Sequence, residues 1–321
     1  MKLRRMAAST LAISTVMLGA ACAGDDLASD DTGSDSTGGG DGGGDLGAVK
    51  ISGQDFGEVQ IVAAMYEQLL DAEGYDASVQ LVGTRDVYMG AGQFPESIQL
   101  VPEYVGGIVD YLNVTENGPD AEPLTTPDAD ESVSAAADLL EGKGVTLLDP
   151  SAAIDTNAFF VTQEFSDAEG VTKLSDLEGM SVVVAAAEDC ADRTDCGKGL
   201  TDDYGIDVTE FLPLGFASAD VFKSVADGES QLGLTSTTDG TLESQGMVLL
   251  EDDKQIQPAQ NLVPAVSSTF LEEHPDVADV LNPLMAALTT EKLTEHNGRV
   301  AVDREQPADV ALDFLQTEGL L

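Results

Sequence analysis

Tryptophan is absent from this chain, and two histidines and three cysteines are all it has of either in 321 residues. Aromatic residues make up only 5%, which argues against an enzyme that stacks sugars on broad rings. Basic residues are also scarce: 14 Lys and Arg face 59 Asp and Glu, for a formal net charge of −45. Such a surface repels other polyanions, so general affinity for nucleic acid or an anionic lipid surface is excluded. It reads as the surface of a soluble, self-repelling monomer. No apolar run approaches the roughly 20 residues of a membrane span. Nucleophile elbows, phosphate-binding glycine loops and metal-spaced clusters are missing too, so no catalytic residue, metal or cofactor is expected. His274 precedes Pro275 at a helix boundary and His296 lies in a helix. With no local partners, both read as surface residues.

What is present begins with a targeting pattern. Lys2, Arg4 and Arg5 form a short positive region, and Met6 to Leu18 runs apolar or small without charge. That is a signal peptide over residues 1–21 and not a membrane span. Gly19-Ala20-Ala21 before Cys22 resembles the lipobox of bacterial lipoproteins. The resemblance implies lipidation of Cys22 and an extracytoplasmic, membrane-anchored protein; the alternative is plain secretion with Cys22 incidental. Residues 22–47 are then a tether. From Ala23 to Gly47 there is no aromatic or basic residue, only a Gly-, Asp-, Ser- and Thr-rich stretch that cannot bury enough apolar surface to offset its ordering entropy. Its root-mean-square span is about 25–30 Å.

With Cys22 assigned to lipid, Cys190 and Cys196 remain. Outside the cytoplasm a close, isolated pair reads as a disulfide; the alternative is a metal site, which needs further ligands.

Beyond the tether, strands alternate with helices. Strands are expected at Val49–Ser52, Ser78–Val82, Ile98–Val101, Val145–Leu148, Asn157–Thr162, Ser181–Ala185, Gln231–Thr235 and Met247–Leu250, with an extended stretch at Asn261–Val266. A helix over Glu58–Glu73 carries Val62, Met65, Tyr66, Leu69 and Leu70 on one stripe, with Gly74 as its C-terminal cap. Thr126-Pro127-Asp128 marks another helix start, with Thr126 capping, and Ser175 caps a short turn. From Ser267 onward the pattern is helical. This alternation implies a mainly parallel sheet, with ligands bound outside the carboxyl ends of its strands.

The polar turns at those ends supply the candidates. Gly53-Gln54-Asp55 and Gly83-Thr84 each lie where a strand turns into a helix. Free backbone N–H groups there suit a partial negative charge, and Gln54 and Thr84 add side-chain hydrogen bonds. Equally, Asp55 and Thr84 could only cap their own helices. Arg193 stands between Asp189, Asp192 and Asp195. Its planar fork could clamp a ligand carboxylate or form a surface ion pair with those acids. Asp239, in Thr237-Thr238-Asp239-Gly240, could hold a ligand amine or cap the next turn.

Taken in order, Lys50-Ile51-Ser52-Gly53-Gln54-Asp55-Phe56, Gly83-Thr84, Pro102-Glu103-Tyr104, Thr238-Asp239-Gly240, Leu249 to Lys254 and Pro258 to Pro264 resemble the substrate-binding proteins of osmoprotectant ABC importers, the glycine betaine/carnitine/choline-binding family. The resemblance implies a bilobed α/β fold of the type II periplasmic-binding-protein kind. Residues 48–154 and 262–321 would form lobe 1, and 155–261 lobe 2. Two hinge segments near Asn157 and Asn261 would join them. A small polar solute would lie in the inter-lobe cleft and be delivered to an ABC permease. Ligand contacts implied in this way are Gln54, Asp55, Thr84, Tyr104, Thr238 and Asp239. At positions where relatives carry cage tyrosines, this chain has Val101, Asn157, Ser236 and Gln260. Arg193 matches an arginine that holds ligand carboxylate in relatives. The cleft is therefore expected to be hydrogen-bonding rather than aromatic, suited to a polar, carboxylate-bearing solute. Three other readings stand beside this one. The first is a true betaine, choline or carnitine binder using Tyr88, Tyr104 or Tyr111. The second is a secreted hydrolase with paired carboxylates, and the third a receptor that signals to a sensor.

Overall fold

A computed structural model describes residues 46–321 of the chain. The signal peptide, Cys22 and all of the tether but Leu46 and Gly47 lie outside the described residues. The first part runs β1 (Ala48–Ile51), α1 (Gly57–Glu73), β2 (Asp76–Val79), α2 (Arg85–Tyr88), β3 (Leu100–Tyr104), α3 (Val105–Asn117), α4 (Ala129–Ala135), α5 (Ala137–Gly142) and β4 (Val145–Leu147). The second runs β5 (Asn157–Thr162), α6 (Gln163–Glu169), β6 (Ser181–Ala186), β7 (Asp207–Pro213), α7 (Ala219–Ala226), β8 (Leu232–Ser236) and β9 (Met247–Leu250). The chain then returns through β10 (Leu262–Ser267) into α8 (Ser268–Glu273), α9 (Asp276–Ala287), α10 (Thr290–Ala301) and α11 (Pro307–Thr317).

Two five-stranded sheets result, ordered β2-β1-β3-β10-β4 and β7-β6-β8-β5-β9. Both are mixed rather than mainly parallel. β10 runs antiparallel to β3 and β4, and β5 antiparallel to β8 and β9. The cause is topological: β5 and β10 are the strands on which the chain enters each sheet from the other, so each arrives reversed. The two crossing segments run side by side, with Ile154 bridged to Asn261 and the Asp155 amide donating to the Gln260 carbonyl at 3.0 Å.

Strand β7 escapes the sequence pattern because it is an edge: most of its side chains are exposed or half-buried, and Pro213 ends it. Helix α1 ends at Gly74 in the left-handed region (φ 100°), as the sequence implies. Its buried face is wider than one stripe, since Ile61, Val62, Ala63, Ala64 and Met65 are all buried in succession. The first sheet covers one side of the helix, while α9, α10 and α11 pack on the other. Asp128, not Thr126, caps α4, accepting from the Glu131 amide at 2.9 Å. Thr126 Oγ1 instead accepts from the Asp128 amide at 3.1 Å. Ser175 lies inside its turn and donates through Oγ to Asp253 at 2.6 Å.

His296 is not a surface residue. It is buried, with its ring edge-on to Phe314 at 5.1 Å and neither ring nitrogen hydrogen-bonded. Burial lowers its pKa from the ordinary 6.5. The hydrophilic neighbours of His296 in sequence conceal this, because α10 turns a narrow apolar face inward. Beside it, a Cβ on Gly240 of the second sheet's turn would stand 2.3 Å from the Gly298 nitrogen of α10. Only glycine lets these two backbones approach so closely.

Candidate functional site

Helix α1 starts without a side-chain cap at Phe56. Glu58 in its first turn points inward and is 3% exposed. A carboxylate there meets the positive end of the helix. Tyr104 at the end of β3 donates its hydroxyl to Glu58 Oε1 at 2.6 Å, and Asn297 of α10 donates Nδ2 to Oε2 at 2.7 Å. Asn297 Nδ2 also reaches the Thr238 carbonyl at 3.0 Å. Glu58 thus ties the first sheet and α10 to the turn after β8. Burial raises the Glu58 pKa against the pull of hydrogen bonds from Tyr104, Asn297 and Thr238.

Asp155, on the first crossing segment, is a second acid beside this site, half-buried as a residue. Burial, reinforced by the Glu58 charge, pushes its pKa up to about 7, although Thr238 and Ser236 hydrogen-bond to it. Its Oδ1 is buried without a hydrogen-bond partner, and so is Asn297 Oδ1. Both residues line one cavity of about 630 Å³ between the halves of the molecule, together with Phe56, Glu58, Phe216 and Thr238. Phe56 and Phe216 are 39% and 49% exposed. The turn carrying Phe216 includes Ala217 in the left-handed region (φ 45°), a conformation that costs a non-glycine residue on the order of 1 kcal/mol.

A second constellation is built on the cysteine loop. Cys190 and Cys196 are bonded to each other. Within the loop, Arg193 grips Asp195 with two fork nitrogens, Nε at 2.9 Å from Oδ1 and Nη2 on Oδ2, and reaches Asp189 at 3.5 Å. Asn157 donates to Asp195 Oδ2 at 2.8 Å, and Gln257 donates to its carbonyl at 2.7 Å. Asn157 pairs with Ser236 in the sheet, so the two constellations adjoin. Across from the loop, Arg85 makes a two-point contact with wholly buried Glu103 at 2.8 and 2.9 Å, and Tyr88 donates to the same carboxylate. Gln260 Oε1 accepts from the Gly107 amide at 3.0 Å, satisfying a free N–H in the first turn of α3.

The expected contacts therefore separate. Ser236, Thr238 and Asp239 line the 630 Å³ cavity, and Tyr104 reaches it through Glu58. Asn157 and Arg193 meet at Asp195. Gln260 serves α3. Gln54 bridges to Val82. Asp55 does not cap α1, whose N-cap is Phe56, and Thr84 stands at the N-cap of α2 without a side-chain hydrogen bond; Asp55 accepts from Gln60 Nε2 at 2.8 Å. Val101 is wholly buried in a cluster with Tyr88 and Ile108. Asp239 Oδ1 accepts from the amide and hydroxyl of Thr241 at 2.9 and 2.6 Å, the turn-capping role. Arg193 forms the ion pairs expected of its alternative reading.

Sequence reasoning misses Glu58, Asp155 and Asn297. For Glu58 a signal exists: it stands four residues before Val62, on the apolar stripe of α1, so a first-turn acid there faces the core and not solvent. A larger groove of about 1050 Å³ lies between α10 and the β8–β9 connection. None of the unpartnered buried acceptors lines it, so the smaller cavity is the stronger candidate site.

Comparison with known proteins places these features. Residues 47–317 match the family model described as the substrate-binding domain of ABC-type glycine betaine transport systems. The chain is 27% identical over 285 residues to a glycine-betaine-binding protein of Pseudomonas aeruginosa, covering 85% of this chain and 88% of the relative. It is also 27% identical over 283 residues to the glycine betaine-binding protein YehZ of Escherichia coli, covering 84% and 90%. A crystal structure described as a glycine betaine/carnitine/choline ABC transporter superimposes with a TM-score of 0.72 at 20% identity, covering 85% of this chain and 98% of that one. The two mixed sheets match the type II periplasmic-binding-protein fold. With the family model spanning nearly every described residue, the chain belongs to the substrate-binding proteins of glycine betaine-type ABC transport systems, a family that binds and delivers solutes and does not catalyse reactions.

Proposed function

We propose that this protein captures a small polar solute in the cleft between its two sheets and hands it to the permease of an osmoprotectant-type importer. Residues 48–154 with 262–321 move as one body and 155–261 as the other, and closure about the crossing segments traps the solute. Lipid on Cys22 holds the protein at the outer face of the membrane. The observation that carries this reading is the cavity bounded by both halves, with polar groups from α1, β8 and α10 converging on it. A pair of acids such as a hydrolase needs is present in Glu58 and Asp155, but Glu58 is locked by Tyr104 and Asn297.

Quaternary betaines bind weakly on this reading. The hydroxyls of Tyr75, Tyr88, Tyr104 and Tyr204 are engaged by protein partners, Tyr66 is buried in the core and Tyr111 packs on the α3 cluster. No tyrosine ring lines the cavity; its aromatic residues are Phe56, Phe216 and Phe222, so the cleft is more aromatic than the sequence implies but holds no tyrosine cage. The carboxylate reading draws on Arg193. Asp195 occupies its fork as a ligand carboxylate would, and a solute would have to displace it. Mass spectrometry of molecules released from natively purified protein tests the function directly. A bound small solute is expected, and detectable turnover of that solute would contradict the reading. Calorimetry with glycine betaine should give Kd values well above micromolar. If a carboxylate ligand is found, Arg193→Ala should weaken it by about 1.5–3 kcal/mol; unchanged affinity would leave Arg193 with its ion pair alone.

A further inference from the structure

We propose that the cavity between Phe56, Phe216, Glu58, Asp155 and Asn297 is a subsite for an organic cation that carries N–H groups, a protonated amine rather than a quaternary ammonium. The inference rests on the cleft being the solute site and names the chemistry of one end of the solute.

Charge comes first. Glu58, Asp155 and Asp239 line the cavity, and no lysine or arginine does. The nearby arginines are already spent: Arg193 on Asp195 and Asp189, Arg85 on Glu103. No basic side chain of the cavity wall offsets these acids, so a cation entering here favours their ionised forms. The walls come second. Phe56 and Phe216 are half-exposed, and Phe222 and Val300 complete an apolar side. Rings attract a cation through their faces and shelter carbon, so an organic cation fits better than a hydrated metal ion. The decisive feature is the pair of unpartnered acceptors. Asp155 Oδ1 and Asn297 Oδ1 are both buried and without a hydrogen-bond partner, and both belong to residues that line this cavity. The orientation of the Asn297 amide is fixed, because its Nδ2 donates to Glu58 and to the Thr238 carbonyl. Both oxygens therefore call for donors. An ammonium with N–H groups supplies them. A quaternary ammonium presents only C–H and would leave both acceptors desolvated and unmet once the cleft closes.

The test uses one carbon skeleton with a falling number of N–H donors: ethanolamine, N-methylethanolamine, N,N-dimethylethanolamine and choline, titrated calorimetrically into the purified full chain. Affinity should fall along the series, with ethanolamine at least tenfold tighter than choline. Choline binding as tightly as ethanolamine would overturn the proposal while leaving the solute-binding function standing. If no member of the series binds, the subsite is not an amine site, and mass spectrometry of the native ligand judges the function separately. Asp155→Asn should weaken ethanolamine at least tenfold and compress the series. Phe216→Ala, at a half-exposed position, should weaken every member several-fold. Ethanolamine affinity unaltered in both variants would place any binding elsewhere.

Discussion

Replacing Asp155 by asparagine removes one of two acids that share a buried site, and the effect on stability has a definite sign. The folded-state pKa of Asp155 is pushed up from the ordinary 3.8 to about 7. Below about pH 4 the group is protonated folded or unfolded, and no cost arises. Between about pH 4 and 7 the unfolded chain releases the proton and the folded protein keeps it, so stability falls by about 1.4 kcal/mol per pH unit. Above about pH 7 the loss is complete, on the order of 4 kcal/mol. The substituted asparagine has no proton to lose. Its amide preserves an acceptor for Ser236 or Thr238, so the variant forfeits at most about 1 kcal/mol of hydrogen bonding. Glu58 and His296 titrate in both proteins, so their contributions largely cancel in the difference, apart from the relief Glu58 gains when its charged neighbour goes. Asp155→Asn should thus exceed the parent in stability by roughly 3 kcal/mol near pH 8 and by little near pH 5. With an m-value of about 3 kcal/mol/M, the urea midpoint at pH 8 moves up by about 1 M. Equal midpoints at both pH values, or a variant uniformly weaker by the same amount, would refute the account of a strained buried carboxylate.

Other consequences can be measured as simply. Alkylation of the unfolded, unreduced protein should label neither Cys190 nor Cys196, and removing the bond should cost roughly 2–2.5 kcal/mol by the chain-entropy relation. His296 is held neutral by burial, and its folded pKa lies below 6.5. It therefore contributes a loss of stability as pH falls through and below 6.5, which denaturation of His296→Leu between about pH 7 and 5 should show diminished. Cys22→Ser should move the protein from the membrane fraction to the medium or periplasm; retention in the membrane would remove the lipid-anchor reading.

The fold is largely legible in the sequence because its signals are local. Short apolar runs mark Asn157–Thr162 and Met247–Leu250 to the residue, and Gly74 marks the end of α1. What escapes is either non-local or weakly patterned. Strand direction depends on which sheet the chain enters and from where, and no window around β5 or β10 contains that. Edge strand β7 has too little buried surface to show a period. The site is less legible than the fold. Motif positions such as Asp55, Thr84 and Asp239 stand out for their turns, and the structure spends Asp239 on turn geometry and Asp55 on Gln60. Glu58, Asp155 and Asn297 come from three separated segments, and only folding reveals that their burial leaves two acceptors unmatched.

The manner in which the chain crosses between the halves bears on how a bound solute is sensed. Each crossing continues directly into a strand held on both sides by neighbours, β5 between β8 and β9, and β10 between β3 and β4. A torque applied at the crossing is therefore not absorbed by a fraying border. In the closure proposed above, it enters each sheet through its inner ladder of hydrogen bonds, and each half turns as a lever. Asp155 sits at the pivot, on the residue whose amide is bonded to the opposite crossing. Under that proposal, a charge neutralised there acts where the lever arm is shortest, and small displacements at the solute become large ones at the outer rims of the two halves.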